Sequence, residues 1–260
     1  MTSSSEVYVI TGANRGLGFE FAKQLLETGH TVVATCRSPS NADALRSLDS
    51  SHQGRLHIVP LDVMDEASVQ AAASEVEKQF PDGIDVLINN AGILSDHVTH
   101  LNMEVKDLHD VLLTNVVGTY MVTKALLPSI RKGHKKQIIN ISSTLGSIAK
   151  IQGSLDAPEG SLPAMLSHYH LAYRSSKAAL NMQTVCMAAD LKKEGITIVS
   201  QCPGWVQTDM GNYCSDGVGG EHKPPLDAPT SISKQLALFA KLTPADTGKF
   251  LEVTGETVPW

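Results

Sequence analysis

The chain has 260 residues, 42% of them hydrophobic and 18% charged, and a formal net charge of −6. That length and apolar content can bury a substantial core, in one large α/β domain or two small ones. The acidic balance excludes a nucleic-acid partner: "RKGHKK" (Arg131–Lys136) is the one basic cluster and reads as a solvated loop.

The N-terminal stretch "MTSSSEVYVIT" lacks both a basic leader and a long apolar stretch, and no run approaches the ~18 apolar residues of a membrane span. The expectation is a soluble, cytoplasmic protein with no membrane partner. Cys36, Cys186, Cys202 and Cys214 have neither zinc-site spacing nor the density of a disulfide scaffold, so they read as free thiols. His97-x-x-His100 lacks the glutamate that accompanies histidines in a zinc-binding helix, and His168-x-His170 sets its rings about 200° apart on a helix. No metal is expected.

Along the chain, short β-branched runs alternate with helical patterns. "VYVIT" precedes a helix from about Gly16 to Glu27; "TVVATC" and "LHIVPLDV" precede a helix near Glu66–Gln79; "IDVLINN" precedes a helix from about Glu104 to Ile130. "QIINISS", a helix containing "HYHLAYRSSKAAL" (His168–Leu180), "ITIVSQCPG", a helix near Ser231–Leu242 and "KFLEV" complete the series. Repeated strand-then-helix units imply a parallel sheet with right-handed crossovers and helices on both faces. Two segments break the rhythm, Thr144–Ser167 and Gly204–Thr230, both rich in Gly and Pro and both following strands. In an open parallel sheet the loops beyond the carboxyl ends of the strands form the ligand crevice, so these are the expected substrate loops.

Directly after the first strand, "TGANRGLG" sets Gly12, Gly16 and Gly18 in a strand-to-helix turn. Glycines there let backbone N–H groups approach a pyrophosphate at the positive end of the next helix. The second strand runs into Arg37 and Ser38, where NAD-binding folds commonly carry a carboxylate for the ribose hydroxyls. An arginine fork suits a 2′-phosphate that a carboxylate would repel, so NADP(H) is the expected cofactor, with Arg15 as a second cation. Tyr169, Tyr173 and Lys177 follow one another at four-residue spacing. The spacing alone marks only a helix face.

Taken together, "TGANRGLG", "LDV" (Leu61–Val63), "NNAG" (Asn89–Gly92), Asn115, "INISS" (Ile139–Ser143), Tyr173-x-x-x-Lys177 and "PGWVQTDM" (Pro203–Met210) resemble the short-chain dehydrogenase/reductase family, in order and separation along nearly the whole chain. Within it, "PGWVQTDMG" and the ending "TGKFLEVTGETVPW" resemble the C-factor and sniffer-type carbonyl reductase branch. The resemblance implies one doubly wound Rossmann domain over residues 1–260 and NADP(H)-dependent interconversion of a small-molecule carbonyl and an alcohol. Homodimer or homotetramer assembly is implied by analogy.

It also implies roles. Gly12, Asn14, Arg15, Gly16, Leu17, Gly18, Arg37 and Ser38 would hold the cofactor, with Asp62 and Val63 beside the adenine and Asn89, Ala91 and Gly92 along the ribose. Pro203, Gly204, Val206 and Thr208 join them, the last two near the nicotinamide amide. Tyr173 becomes the proton donor or acceptor and Lys177 its cationic helper, which also binds the nicotinamide ribose; Asn115 holds a water joining Lys177 to solvent. Ser142 and Ser143 point to opposite sides of a strand, and Ser143 is the one assigned to the reacting oxygen. Tyr169 is expected to line the pocket or pack on the long loop. Ile93, Met103, Ile148, Ile151, Met165, Trp205 and Tyr213 are candidate apolar pocket residues. Ser143 and Tyr173 stand 30 positions apart, farther than in most of the family, so the added residues are expected over the pocket. A catalytically silent NADP(H)-binding relative acting through a protein partner, and an enoyl reductase, are the alternatives.

Overall fold

The computed structural model describes residues 5–49, 51, 52, 54–94, 98–217, 220 and 222–260. His97, half of one spaced histidine pair, lies outside them. Seven strands form one parallel sheet: β1 (Val7–Ile10), β2 (Thr31–Cys36), β3 (Leu56–Pro60), β4 (Val86–Asn89), β5 (Gln137–Ile141), β6 (Thr197–Cys202) and β7 (Phe250–Glu252), in the spatial order β3-β2-β1-β4-β5-β6-β7. The strand order reverses between β1 and β4, where an open parallel sheet leaves its ligand crevice.

The apolar strands bury both faces, and the period of two divides their side chains between two core layers. Tyr8, Ile10, Val32, Ala34, Val86, Ile88, Ile139 and Val199 pack in one layer with helices α1 (Gly16–Glu27), α2 (Asp43–Asp49) and α10 (Ala228–Phe239). In that layer Phe21 of α1 stacks on Phe239 of α10, ring centroids 6.0 Å apart. The alternate residues Val9, Val33, Leu87, Ile138 and Ile198 pack with α3 (Glu66–Gln79), α5 (Thr119–Lys132) and α8 (Leu171–Leu191).

Three expectations are corrected in detail. The single helix expected from Glu104 is α4 (Val105–Leu112) and α5 joined by a π-helical turn, Leu113–Gly118, which carries Asn115. Such turns widen a helix by one residue and re-aim side chains. The whole run Val105–Lys132 is long and apolar enough by composition to cross a membrane; here Val122, Leu126 and Ile130 put one face of it in the core. The expected loop Thr144–Ser167 folds into a short 3-10 turn at Thr144–Gly146 and two helices, α6 (Ile148–Ser154) and α7 (Leu162–Ser167). The second loop contains α9 (Asp209–Gly217). Pro163 falls in the first turn of α7, where a missing N–H costs nothing.

Candidate active site

The site is built at the carboxyl ends of β1, β4, β5 and β6. Gly12 leaves β1 with φ 66°, and a Cβ there would meet Ala91 Cα at 3.0 Å. Gly18, in the first turn of α1, is tighter: a Cβ would lie 2.3 Å from the Gly12 carbonyl and 2.6 Å from Asn90 Nδ2. The turn is fixed by residues that the motif reading did not single out. Thr11 Oγ1 accepts from the Asn90 and Ala91 amides at 3.0 and 2.9 Å, and Asn90 Nδ2 donates to the Thr11 and Gly12 carbonyls at 2.9 and 3.1 Å.

The buried Asn89 side chain donates to Thr123 Oγ1 and Asn140 Oδ1, both at 2.9 Å. The network continues from Asn140 to Thr184 Oγ1 at 2.9 Å, tying β4 and β5 to α8. Strand alternation, the argument that separates Ser142 from Ser143, also separates Asn89 from Asn90 and could have found the latter.

Arg37 and Ser38 stand exposed beyond the end of β2. Arg15, read as a second cation for the cofactor, pairs instead with Asp209 at the start of α9, at 3.0 Å and largely in solvent. Thr208 also approaches the glycine-rich turn, its Cγ2 lying 3.9 Å from where a Cβ on Gly16 would stand. Asp62 caps the turn after β3, accepting from the Met64 amide at 3.0 Å, and buried Val63 packs against Gly118. Pro203 O accepts from Ser231 Oγ at 2.8 Å, Gly204 takes φ 83°, and Val206 is buried. The glycine-rich turn thus meets the turn after β4 at Ala91 and approaches the Gly204–Gly211 segment at Thr208.

Ser143, Tyr173, Lys177 and Asn115 converge. Ser143 Oγ accepts from the Leu145 amide at 3.2 Å, and its hydroxyl lies close enough to Tyr173 to favour the ionised phenol. Lys177 Nζ sits 5.4 Å from the Tyr173 ring centroid and donates to the Ile141 carbonyl at 2.6 Å. A Cβ on Gly92 would lie 3.2 Å from Asn115 Oδ1 and 3.8 Å from Lys177 Nζ, so only glycine leaves that space open. Asn115 clamps Ile93, accepting from its amide at 2.9 Å and donating to its carbonyl at 3.0 Å, and also donates to Ser176 Oγ at 2.9 Å. Ser142 is directed away, to Asn181 Oδ1 at 2.6 Å.

Burial sets the electrostatics. Desolvation pushes the Tyr173 phenol well above its usual range, helped by nearby Cys214 and Cys202, while the Ser143 hydroxyl pulls it back. Desolvation lowers Lys177 to about 8, partly offset by Cys202. A positively charged Lys177 this close to the ring favours phenolate, opposing the burial. Of the apolar candidates, Ile93, Ile148 and Tyr213 are substantially exposed. Met165 and Tyr169 line a separate cleft together.

Arg174, next to Tyr173, was missed: its guanidinium donates to the carbonyls of Leu166 (2.7 Å), Tyr169 (3.0 Å) and Leu145 (3.4 Å). Its one sequence signal is a charged side chain beside a catalytic candidate. The four cysteines are free thiols, and among the described residues no group of His, Cys, Asp or Glu gathers as a metal site.

A family model described as short chain dehydrogenase matches residues 6–155 and 164–218. The chain belongs to this family. A short-chain dehydrogenase of Penicillium roqueforti is 34% identical over 90% of this chain and 92% of its own. The Myxococcus xanthus protein C-signal is 34% identical over 68% of this chain and 93% of its own. An NADPH-bound carbonyl reductase from chicken fatty liver superposes with a TM-score of 0.85 at 36% identity, covering 98% of this chain and 99% of the other. The carbonyl reductase Sniffer of D. melanogaster gives 0.85 at 33%, covering 99% and 100%. These matches agree with the family and the branch expected from the motifs.

Proposed function

We propose that this short-chain dehydrogenase interconverts a carbonyl and an alcohol with NADP(H), Tyr173 moving the proton. The observation that carries the reading is Lys177 Nζ 5.4 Å from the ring of the buried Tyr173, with the Ser143 hydroxyl beside the phenol. The glycine-rich turn fits a dinucleotide: Gly12 and Gly16 have positive φ, Gly18 admits no Cβ, and Arg37 stands exposed at the end of β2. Gly12, Asn14, Arg15, Gly16, Leu17 and Gly18 would hold the pyrophosphate, Arg37 and Ser38 the 2′-phosphate, and Asp62 and Val63 the adenine. Asn89, Ala91, Gly92, Pro203, Gly204, Val206, Thr208, Tyr173 and Lys177 would hold the nicotinamide half.

When bound, the cofactor gives hydride to a carbonyl carbon or takes it from an alcohol carbon. Tyr173 donates its phenolic proton to the reacting oxygen, with the Ser143 hydroxyl as a second donor. Lys177 stabilises the phenolate left behind; each unit of pKa shift needs about 1.4 kcal/mol of differential interaction. Asn115 orients the turn after β4 through Ile93, and the second lone pair of Oδ1 is where a water toward Lys177 would bind.

NADPH oxidation against a panel of ketones, aldehydes and quinones tests the reading. Tyr173→Phe should lose about 10²–10⁴-fold in kcat/KM while NADPH still binds, and Tyr169→Phe should stay within about tenfold of wild type. If Tyr169→Phe were the inactive variant, the assignment would fall. The second reading is a catalytically silent cofactor-binding protein that works through a partner; NADPH binding with no turnover on any carbonyl would select it. Cytoplasmic placement rests on the four free thiols. Homodimer or homotetramer assembly rests on the partly exposed Val117, Tyr120, Met182 and Val185, and a monomer by light scattering would end it.

A further inference from the structure

The segment between Ser143 and Tyr173 is tied down at both ends and arches between them. At its start Ser147 Oγ donates to the Pro259 carbonyl at 2.5 Å, and the Ala149 amide to the Trp260 carbonyl at 2.9 Å. At its end Arg174 holds the Leu166 and Tyr169 carbonyls. The crest, residues 156–163, is the stretch that the family model passes over. Beneath the arch lies a cleft of about 680 Å³, walled on its other side by Thr99, which pairs with Tyr169 in an antiparallel bridge.

Protein interiors normally fill such space with side chains, and a cleft of this volume suits a drug-sized ligand. Its two flanks are linked along the chain to the proposed catalytic centre. Thr99 lies on the segment leaving Gly92, and Tyr169 on the segment entering Tyr173, held by Arg174 beside the catalytic tyrosine. The lining has an apolar part, including Leu155, Ala164 and Met165, and a hydrogen-bonding part, including Ser167 and Tyr169. Among the described residues its one carboxylate is Glu159 and its one histidine His168, and no lysine or arginine lines it. A tail bearing a negative charge would meet Glu159 with no lysine or arginine to offset it.

We propose that this cleft seats the part of the carbonyl substrate remote from the reacting C=O, selecting substrates with an elongated, largely apolar body that is neutral or cationic and ends in a hydrogen-bonding group. The proposal rests on the carbonyl-reducing reading of the adjacent site. Neither Met165 nor Ala157 belongs to the catalytic machinery, so Met165→Trp and, as a second variant, Ala157→Trp fill the cleft without touching Tyr173.

The test compares one small aryl ketone with the same ketone carrying a long alkyl tail ended by a hydroxyl, an amine or a carboxylate. In wild type the hydroxyl- and amine-ended ketones should show KM at least tenfold below both the small ketone and the carboxylate-ended one. Either tryptophan variant should abolish that advantage while kcat and KM for the small ketone stay within about twofold. No tail advantage in wild type, a preference for the carboxylate, or an equal loss for small and tailed ketones in both variants would overturn the cleft assignment. If wild type reduced no carbonyl at all, the catalytic reading would fail first. Calorimetric binding of the hydroxyl-ended ketone, weakened at least tenfold in both variants, would still uphold the cleft, and unchanged binding would remove it.

Discussion

The glycine-rich half of the site and the arch over the cleft are held in opposite ways. Around Gly12–Gly18 the closest constraints involve backbone: Thr11 and Asn90 fasten two turns together, and a missing Cβ at Gly18 lets them touch. The arch has its fastenings only at its ends, and a Cβ at Gly153 or Gly160 would meet nothing within 4 Å. A region that must match an invariant dinucleotide fixes its backbone. A region that chooses a substrate can vary its surface, provided the ends stay on the catalytic frame.

The largest expected effect breaks this contrast directly. Gly18→Ala forces a methyl to 2.3 Å from a backbone carbonyl, so the two turns must part. NADPH affinity, measured by fluorescence titration, should fall at least a hundredfold. Gly153→Ala, in α6, should leave NADPH affinity unchanged and be neutral or stabilising by up to about 1 kcal/mol, since alanine is the better helix former. Equal effects from the two substitutions would erase the distinction between the halves.

Next in size is cofactor choice. Arg37→Asp replaces a cation at the end of β2 by a group that repels a 2′-phosphate and accepts from ribose hydroxyls. The ratio of kcat/KM for NADPH over NADH should exceed one in wild type and fall by roughly ten- to a hundredfold in the variant, a charge reversal against a phosphate being worth more than one hydrogen bond. An unchanged ratio would remove Arg37 from the site.

The β strands and the glycine turn were legible because both are local. Alternating apolar runs give strands, and a glycine run after the first strand gives the turn. The π-helical turn at Asn115 was not legible, because its hydrogen bonds to Ile93 and Ser176 are long-range and the local sequence reads as an unbroken helix. The helices of the arch were hidden for a different reason. Their Gly and Pro residues also mark turns, and their anchors, Pro259, Trp260 and Arg174, come from distant sequence. Arg174 was hidden because backbone-carbonyl contacts leave no motif.

A smaller but continuous effect is expected from pH. Lys177 is lowered by burial to about 8, below the 10.5 of a lysine in the unfolded chain. Its ammonium, which would support the proposed Tyr173 phenolate, is therefore complete below about pH 7 and lost as pH rises through 8. For carbonyl reduction, kcat/KM, which reports the groups of the free enzyme, should be level below about pH 7 and bend downward near 8. A bend above 10 would show an unburied lysine. The same sign makes Lys177→Met, though inactive, at least as heat-stable as wild type at pH 7, because the desolvated ammonium is gone.

The smallest effect lies where the two halves touch. Arg15 of the glycine-rich turn pairs with Asp209 of α9, both side chains mostly in solvent. An exposed pair of this kind is weak and screened by salt, so it cannot lock the crevice. Yet Arg15 must leave Asp209 to meet a cofactor phosphate, and whatever the pair contributes is subtracted from cofactor binding. Asp209→Asn should therefore lower KM for NADPH, by less than about fivefold at low ionic strength. The gain should shrink as salt is added, and Arg15→Gln should cancel it in the double variant. A rise in KM for NADPH in Asp209→Asn would mean that Asp209 holds Arg15 in place for the cofactor, and the contact between the halves would then be part of the binding site.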